Sequence, residues 1–144
     1  MTLDELAKSL PNGLHDAELQ NCTIDYVARS VHLVLKIWMG HPEHMEVYRP
    51  AIVNLTGMHF WIIEPPNPHY PGGIARLIID TGEVSALEPQ PKIRLPDKPQ
   101  TAFLNWIYVR QWNAFIYVAA EAAELRWTGP EEDQAGTDAL ERLD

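Results

Sequence analysis

A chain of 144 residues fits one domain, and its 46% of hydrophobic residues can supply a real core. A formal net charge of -9 with no basic run argues against nucleic acid, whose phosphates need clustered Lys and Arg. A single cysteine, Cys22, excludes an internal disulfide, and no apolar run approaches the ~20 residues that span a bilayer.

Residues 2–10 read as a short helix. Thr2 is its N-cap and Glu5 the capping-box partner; Leu3, Leu6 and Leu10 share one face, and Pro11 and Gly13 end it. This start is too polar for a secretory h-region, so a cytoplasmic protein is expected. Glu18–Tyr26 and Ser30–Met39 read as a β-hairpin across Val27-Ala28-Arg29, with Val31, Leu33, Leu35 and Ile37 on one apolar face. After the loop at 40–44, a third strand covers Met45–Thr56. Pro50 predicts a sheet edge or a bulge there. Met58–Glu64 is a fourth strand, rich in aromatic and β-branched residues.

Pro65–Gly73 holds four prolines and two glycines and is a stiff loop. Ile74–Asp80 reads as a short strand, and "TGEV" after it as a turn. Glu88–Pro99 is an extended, proline-rich surface connector. Phe103–Arg110 and Ala114–Ala120 form a second hairpin around Gln111-Trp112-Asn113. Residues 118–127 are ambiguous. Ala and Glu favour a helix, whereas Phe115, Tyr117, Ala119, Glu121, Ala123, Leu125 and Trp127 alternate as one strand. The strand reading is the one carried forward.

From Gly129 to Asp144 six acids meet one base, so this stretch carries -5 of the -9 and reads as an acidic, mobile tail. The expectation is therefore a mainly β (α+β) domain over 1–128. It has six to eight antiparallel strands in a curved sheet or a two-sheet β-sandwich, one short N-terminal helix, and a tail at 129–144.

No complete catalytic constellation is visible. His41, Glu43 and His44 in "HPEH" have metal-ligand spacing, and His69 could add a third imidazole. A zinc site nonetheless needs three or four ligands brought together, so no metal or other cofactor is expected. His15 and Asp16 precede the first strand. If the strand has begun, adjacent side chains point apart, so a catalytic His–Asp bond is disfavoured. Asp16 is then read as capping the Asn12-Gly13 turn. The alternative is a polar cleft of His15, Asp16 and His32. Cys22 reads as a buried, inert thiol, and Glu121 with Glu124 as a solvated face. No glycine-flanked serine elbow and no phosphate loop is present. Trp112 in a predicted turn and Tyr70 among prolines suit a protein interface, where such aromatics anchor; loops folded back over the sheet are the other reading.

"GLHDAEL" with "IDYVARSVHLVLKI", and "WNAFIYVAAEAAELRW" near the end, resemble a diffuse group of small bacterial proteins in which an "HDA" motif precedes a β-hairpin. Some members of that group are assigned as immunity proteins of toxin systems. The resemblance spans residues 13–37 and 103–127 and implies a binding protein, with no catalytic residues to transfer. The sequence thus favours a non-catalytic, cytoplasmic protein that occludes a protein partner through Trp112, Tyr70, His41, Glu43 and His44; the resemblance implies an immunity-type protein whose partner is a toxin. The alternatives are a small-molecule or metal-binding protein or enzyme using the His15–Asp16 cleft, and a homo-oligomer, such as a homodimer, with its aromatics face to face.

Overall fold

In the computed structural model, which describes residues 1–40, 46–69, 76–86 and 90–133, the chain begins with the helix that its first residues encode. Helix α1 is Leu3–Lys8. The Thr2 hydroxyl accepts from the Glu5 N–H at 3.1 Å, and the Glu5 carboxylate accepts from the Thr2 N–H at 3.2 Å. Leu3 and Leu6 are buried in the core, which holds this short helix in place where propensity alone would not.

The strands are β1 (Ala17–Asp25), β2 (Ser30–Trp38), β3 (Val47–Thr56), β4 (Phe60–Ile63), β5 (Leu77–Glu83), β6 (Phe103–Val109), β7 (Ala114–Ala120), β8 (Ala122–Trp127) and the two-residue β9 (Glu132–Asp133). All pairs are antiparallel, and they form one curved sheet in the order β4-β7-β6-β5-β1-β2-β3-β8, with β9 beside β3. A two-sheet sandwich does not form, for a local reason. β3 runs into β4 and β7 into β8 through one shared bend, where Glu121 N–H donates to Thr56 O (2.9 Å) and His59 N–H to Ala119 O (2.7 Å). Hydrogen bonding carries on across the bend, so the sheet curves and does not split. The edge strands β4 and β8 are not paired with each other.

The core fills the concave face. Val31, Leu33, Leu35 and Ile37 of β2 are all buried, as the alternation requires, and they meet Ala51, Val53, Leu55, Ile107, Val109, Ile116 and Val118. Burying a Val, Leu or Ile side chain stabilises by ~1.5–3 kcal/mol, and this face holds most of them.

Several local expectations need correction. Residues 122–127 are strand, but the single alternation breaks at Glu121. The inward residues of β7 are Ala114, Ile116, Val118 and Ala120, whereas those of β8 are Ala123, Leu125 and Trp127. Gly57, at φ 64°, sits in the bend; a Cβ there would lie 2.5 Å from Glu121 Cγ. Pro50 is not on an edge strand. It faces the gap between β8 and β9, where its missing N–H costs no ladder bond and its carbonyl accepts from Thr128 N–H at 3.0 Å. "TGEV" is not a turn, because Thr81, Gly82 and Glu83 pair with β6. Gly82 is there because the Trp106 indole lies over it, 2.6 Å from where a Cβ would be. Cys22 is exposed, because β5 pairs only with Ala17–Leu19 and leaves the outer half of β1 uncovered. Glu132–Asp133 pair with Val47 and Tyr48, so the sheet takes in part of the expected tail. Residues 134–144 lie outside the described residues.

Candidate functional site

Asp16 takes a left-handed φ of 59°, so β1 begins only at Ala17. The rule that adjacent strand side chains point apart therefore does not apply to His15 and Asp16. His15 Nε2 lies 3.4 Å from Asp16 Oδ2. The β1–β5 pairing sets Ala17 opposite Ile79 and brings up Asp80, whose Oδ2 lies 3.1 Å from His15 Nδ1. Arg110 hydrogen-bonds the other Asp16 oxygen, and Trp38 meets the imidazole edge-on at 6.4 Å between centroids. Asp16 does not cap the turn. Asn12 holds it, its side-chain amide donating to the carbonyls of Trp38 (3.2 Å) and Gly40 (3.3 Å).

The structure thus joins His15 and Asp16 and adds Asp80 and Arg110, which sequence reasoning missed. Asp80 is 65 residues from His15 and meets it only through strand pairing, so no local signal marks it. His32 does not join them. It lies on β2 opposite Thr23 and Asn54, six residues from Trp38, roughly 20 Å along the strand. Both nitrogens of His15 face carboxylates, and these side chains are a third to a half exposed. That is the geometry of a surface ion-pair network, which ties β1 to β5 and to the turn after β6.

A second cluster occupies the bend. His59 Nε2 lies 2.7 Å from Glu121 Oε1, which also accepts from the Thr101 hydroxyl at 3.0 Å; Arg29 Nη2 lies 3.1 Å from His59 Nδ1. Hydrogen bonds from His59 and then Thr101 hold the Glu121 carboxyl below its usual pKa. Glu121 is therefore a clamp on the bend, and it and Glu124 are both exposed, as the solvated-face reading requires. His59 had no sequence signal. Arg29 also donates to Met58 O at 3.0 Å, and Met58 N–H donates to Arg29 O at 2.8 Å. These bonds pin the tip of the β1–β2 hairpin to the residues that lead into β4.

Of the expected interface residues, Trp112 is half-buried and packs against the core, and its carbonyl accepts from Asn67 N–H at 2.8 Å. It folds back over the sheet and is no exposed anchor. Tyr70, His41, Glu43 and His44 lie outside the described residues. Among the described residues, no group of three or more His, Cys, Asp or Glu side chains is placed to hold a metal.

The exposed large apolar side chains among the described residues are Met1, Tyr26, Val27 and Ile63. Tyr26 and Val27 form the hairpin tip, 79% and 97% exposed; Ile63 is on β4, 51% exposed. Beside β4 lies a cleft of about 500 Å³, within the usual range for ligand sites. Its walls are Ile62, Phe115 and Tyr117 from the sheet and Pro91 and Ile93 from the connector. Neighbouring strand residues point to opposite faces, so a cleft bordered by both Ile62 and Ile63 reaches the open edge of β4.

Glu64 is the acid of this cleft. One of its oxygens accepts from Phe115 N–H at 2.7 Å, in place of a backbone carbonyl. It is half-buried and makes no ion pair with any described residue; Lys92, the base on the rim, does not reach it. Burial, and then the Glu64 charge, push the Tyr117 phenol up to about 12. The nearby ring stack of Tyr108, Phe115 and Tyr117, with centroids 5.0 and 5.8 Å apart, stiffens the floor.

No protein-family model matches the chain, and no curated protein does. Among solved structures it is similar to an uncharacterized protein from Neisseria gonorrhoeae. That likeness has 12% identity and a TM-score of 0.41, over 78% of this chain and 91% of the other. Among the described residues no helix is long and apolar enough to cross a membrane.

Proposed function

We propose that this chain is a non-catalytic binding protein that covers a protein partner with one face, built from the hairpin tip, β4 and the cleft beside it. The observation that carries the reading is the exposure of large apolar groups at the hairpin tip and on β4. Two of the four large ones among the described residues, Tyr26 and Val27, form the hairpin tip that Arg29 ties to Met58 ahead of β4, and a third, Ile63, lies on β4. Exposed aromatic and aliphatic side chains of this size are the usual anchors of a recognition surface, and Ile63 borders the cleft itself. The ion-pair geometry supports the same reading. The ring nitrogens of His15 and of His59 are all engaged by neighbouring side chains, and a general base needs one directed at a substrate. The net charge of -9 favours a basic partner and speeds its encounter. A toxin, occluded as an immunity protein occludes it, is the partner implied by the resemblance over 13–37 and 103–127.

Photo-crosslinking tests this in cells of the native host, with a photoreactive residue placed singly at Val27, Ile63 or Lys8. The expected result is an adduct of one defined protein mass from Val27 and Ile63 and none from Lys8, which lies on α1. Adducts from Lys8 alone, or equal labelling from all three positions, would sink the reading.

A further inference from the structure

We propose that β4 accepts an extended segment of the protein partner as an additional antiparallel strand, with a lysine or arginine of that segment meeting Glu64 in the cleft. The inference rests on the proposed function and adds the mode of recognition and the chemistry of the ligand.

The backbone geometry comes first. Glu64 N–H donates to Phe115 O at 2.9 Å, with Ile63 opposite Ile116. Along a strand, successive residues direct their N–H and C=O groups to alternate sides. Ile62 therefore points its groups toward β7, while Trp61 and Ile63 point theirs to the open side. No described residue pairs with that side. The edge also carries none of the usual guards, since Phe60-Trp61-Ile62-Ile63 contains no charge and no proline. Pro65 and Pro66 follow, so the added strand would be short.

Glu64 supplies the chemistry. It is a half-buried carboxylate beside apolar walls, and no described residue lies within ion-pair distance of it. Its side chain is fixed in place by the Phe115 N–H, so it is preorganised for a cation brought from outside. Strand addition supplies main-chain bonds, and pockets beside the edge select alternate side chains. β4 and its cleft have this pairing of parts. A second copy of the chain fits less well. Self-pairing through Trp61 and Ile63 sets Phe60 opposite Glu64, brings a second Glu64 to the same edge and adds no base.

The test is selection of displayed random eight-residue segments on the full chain, followed by binding measurements on Glu64→Gln and Ile63→Pro. Glu64→Gln keeps the oxygen that caps Phe115 and removes only the charge. Ile63→Pro removes an N–H on the open side and leaves the β7 ladder intact. Selected segments should alternate apolar residues and carry Lys or Arg at one fixed position. Their binding should fall about tenfold in Glu64→Gln, with no such fall for segments whose base is replaced by Gln. Ile63→Pro should weaken both. No enrichment, enrichment without a base, or indifference to Glu64→Gln would overturn the proposal. So would a dimer in sedimentation that Ile63→Pro converts to monomer, which would assign the edge to a second copy. The crosslinks from Val27 judge the proposed function separately. Positive crosslinks with a failed selection would leave the binding face standing without this mode.

Discussion

Strands β4 and β8 stand at opposite ends of one hydrogen-bonded path, and each continues a longer strand through the same bend. Their open sides differ. Along β8, α1 packs against the strand, Ala123 N–H donates to Met1 O at 2.8 Å, and Glu124 and Arg126 place charges on the strand. Along β4, no described residue pairs with the open side, and the strand is wholly apolar. Bare edges invite pairing, and proteins ordinarily cover or charge them. Among the described residues one edge is guarded by several devices and the other is open, and that contrast supports the proposed binding face.

The most damaging way to break this comparison is at the bend that makes both edges. Gly57→Val adds a branched side chain at positive φ and drives it into Glu121 Cγ. We expect a loss of about 3 kcal/mol or more, read by urea denaturation. Adding Glu121→Ala should recover part of it, since that removes the Cγ that the new side chain meets; no recovery would place the cost in the backbone and in the contact with the residue-121 Cβ, 2.8 Å away. Next in size is Leu6→Ala, which empties a buried position under α1. A cost of about 3 kcal/mol is expected. Faster hydrogen exchange at the Ala123 amide, whose partner is Met1 O, would show that the β8 guard has loosened.

How much of this was legible in the sequence varies with the range of the interaction. The capping box of Thr2 and Glu5, the 31-33-35-37 alternation and both hairpins depend on neighbours a few residues apart, and they form where the pattern places them. The bend could not be read, because Ala120-Glu121-Ala122 continues an unbroken alternation. Only the pairing of Glu121 with Thr56, and the room left by Gly57, reveal the change of face. Asp80 and Arg110 join His15 and Asp16 through strand order, not spacing. The cleft was equally hidden. Its walls come from residues 62–67, 90–93 and 113–117, which no sequence window contains together. Trp112 misled for the opposite reason: its place in a turn was read correctly, but this turn packs its indole against the core.

A smaller effect comes from pH. The Glu121 pKa is held below its ordinary value of 4.5 by bonds from His59 and Thr101. A depressed carboxylate pKa adds stability above pH 4.5, and that stability is lost as pH falls through the folded pKa. Glu121→Gln should therefore flatten the fall in stability below pH 4.5 without changing stability against pH above it. A steeper acid transition in the variant would mean that the clamp does not act through this charge.

The least effect on folding should come from Ile63→Lys, and this variant isolates the edge itself. Ile63 is half-exposed, so replacing it should move stability by no more than about 0.5 kcal/mol. The substitution gives β4 the guard that β8 already has, a charge on the strand. If the open edge is the recognition element, segments that bind the parent chain should be lost from this variant while its urea midpoint stays in place. If binding and stability both stay unchanged, the contrast between the two edges has no functional consequence, and the recognition surface lies at the Tyr26–Val27 tip alone.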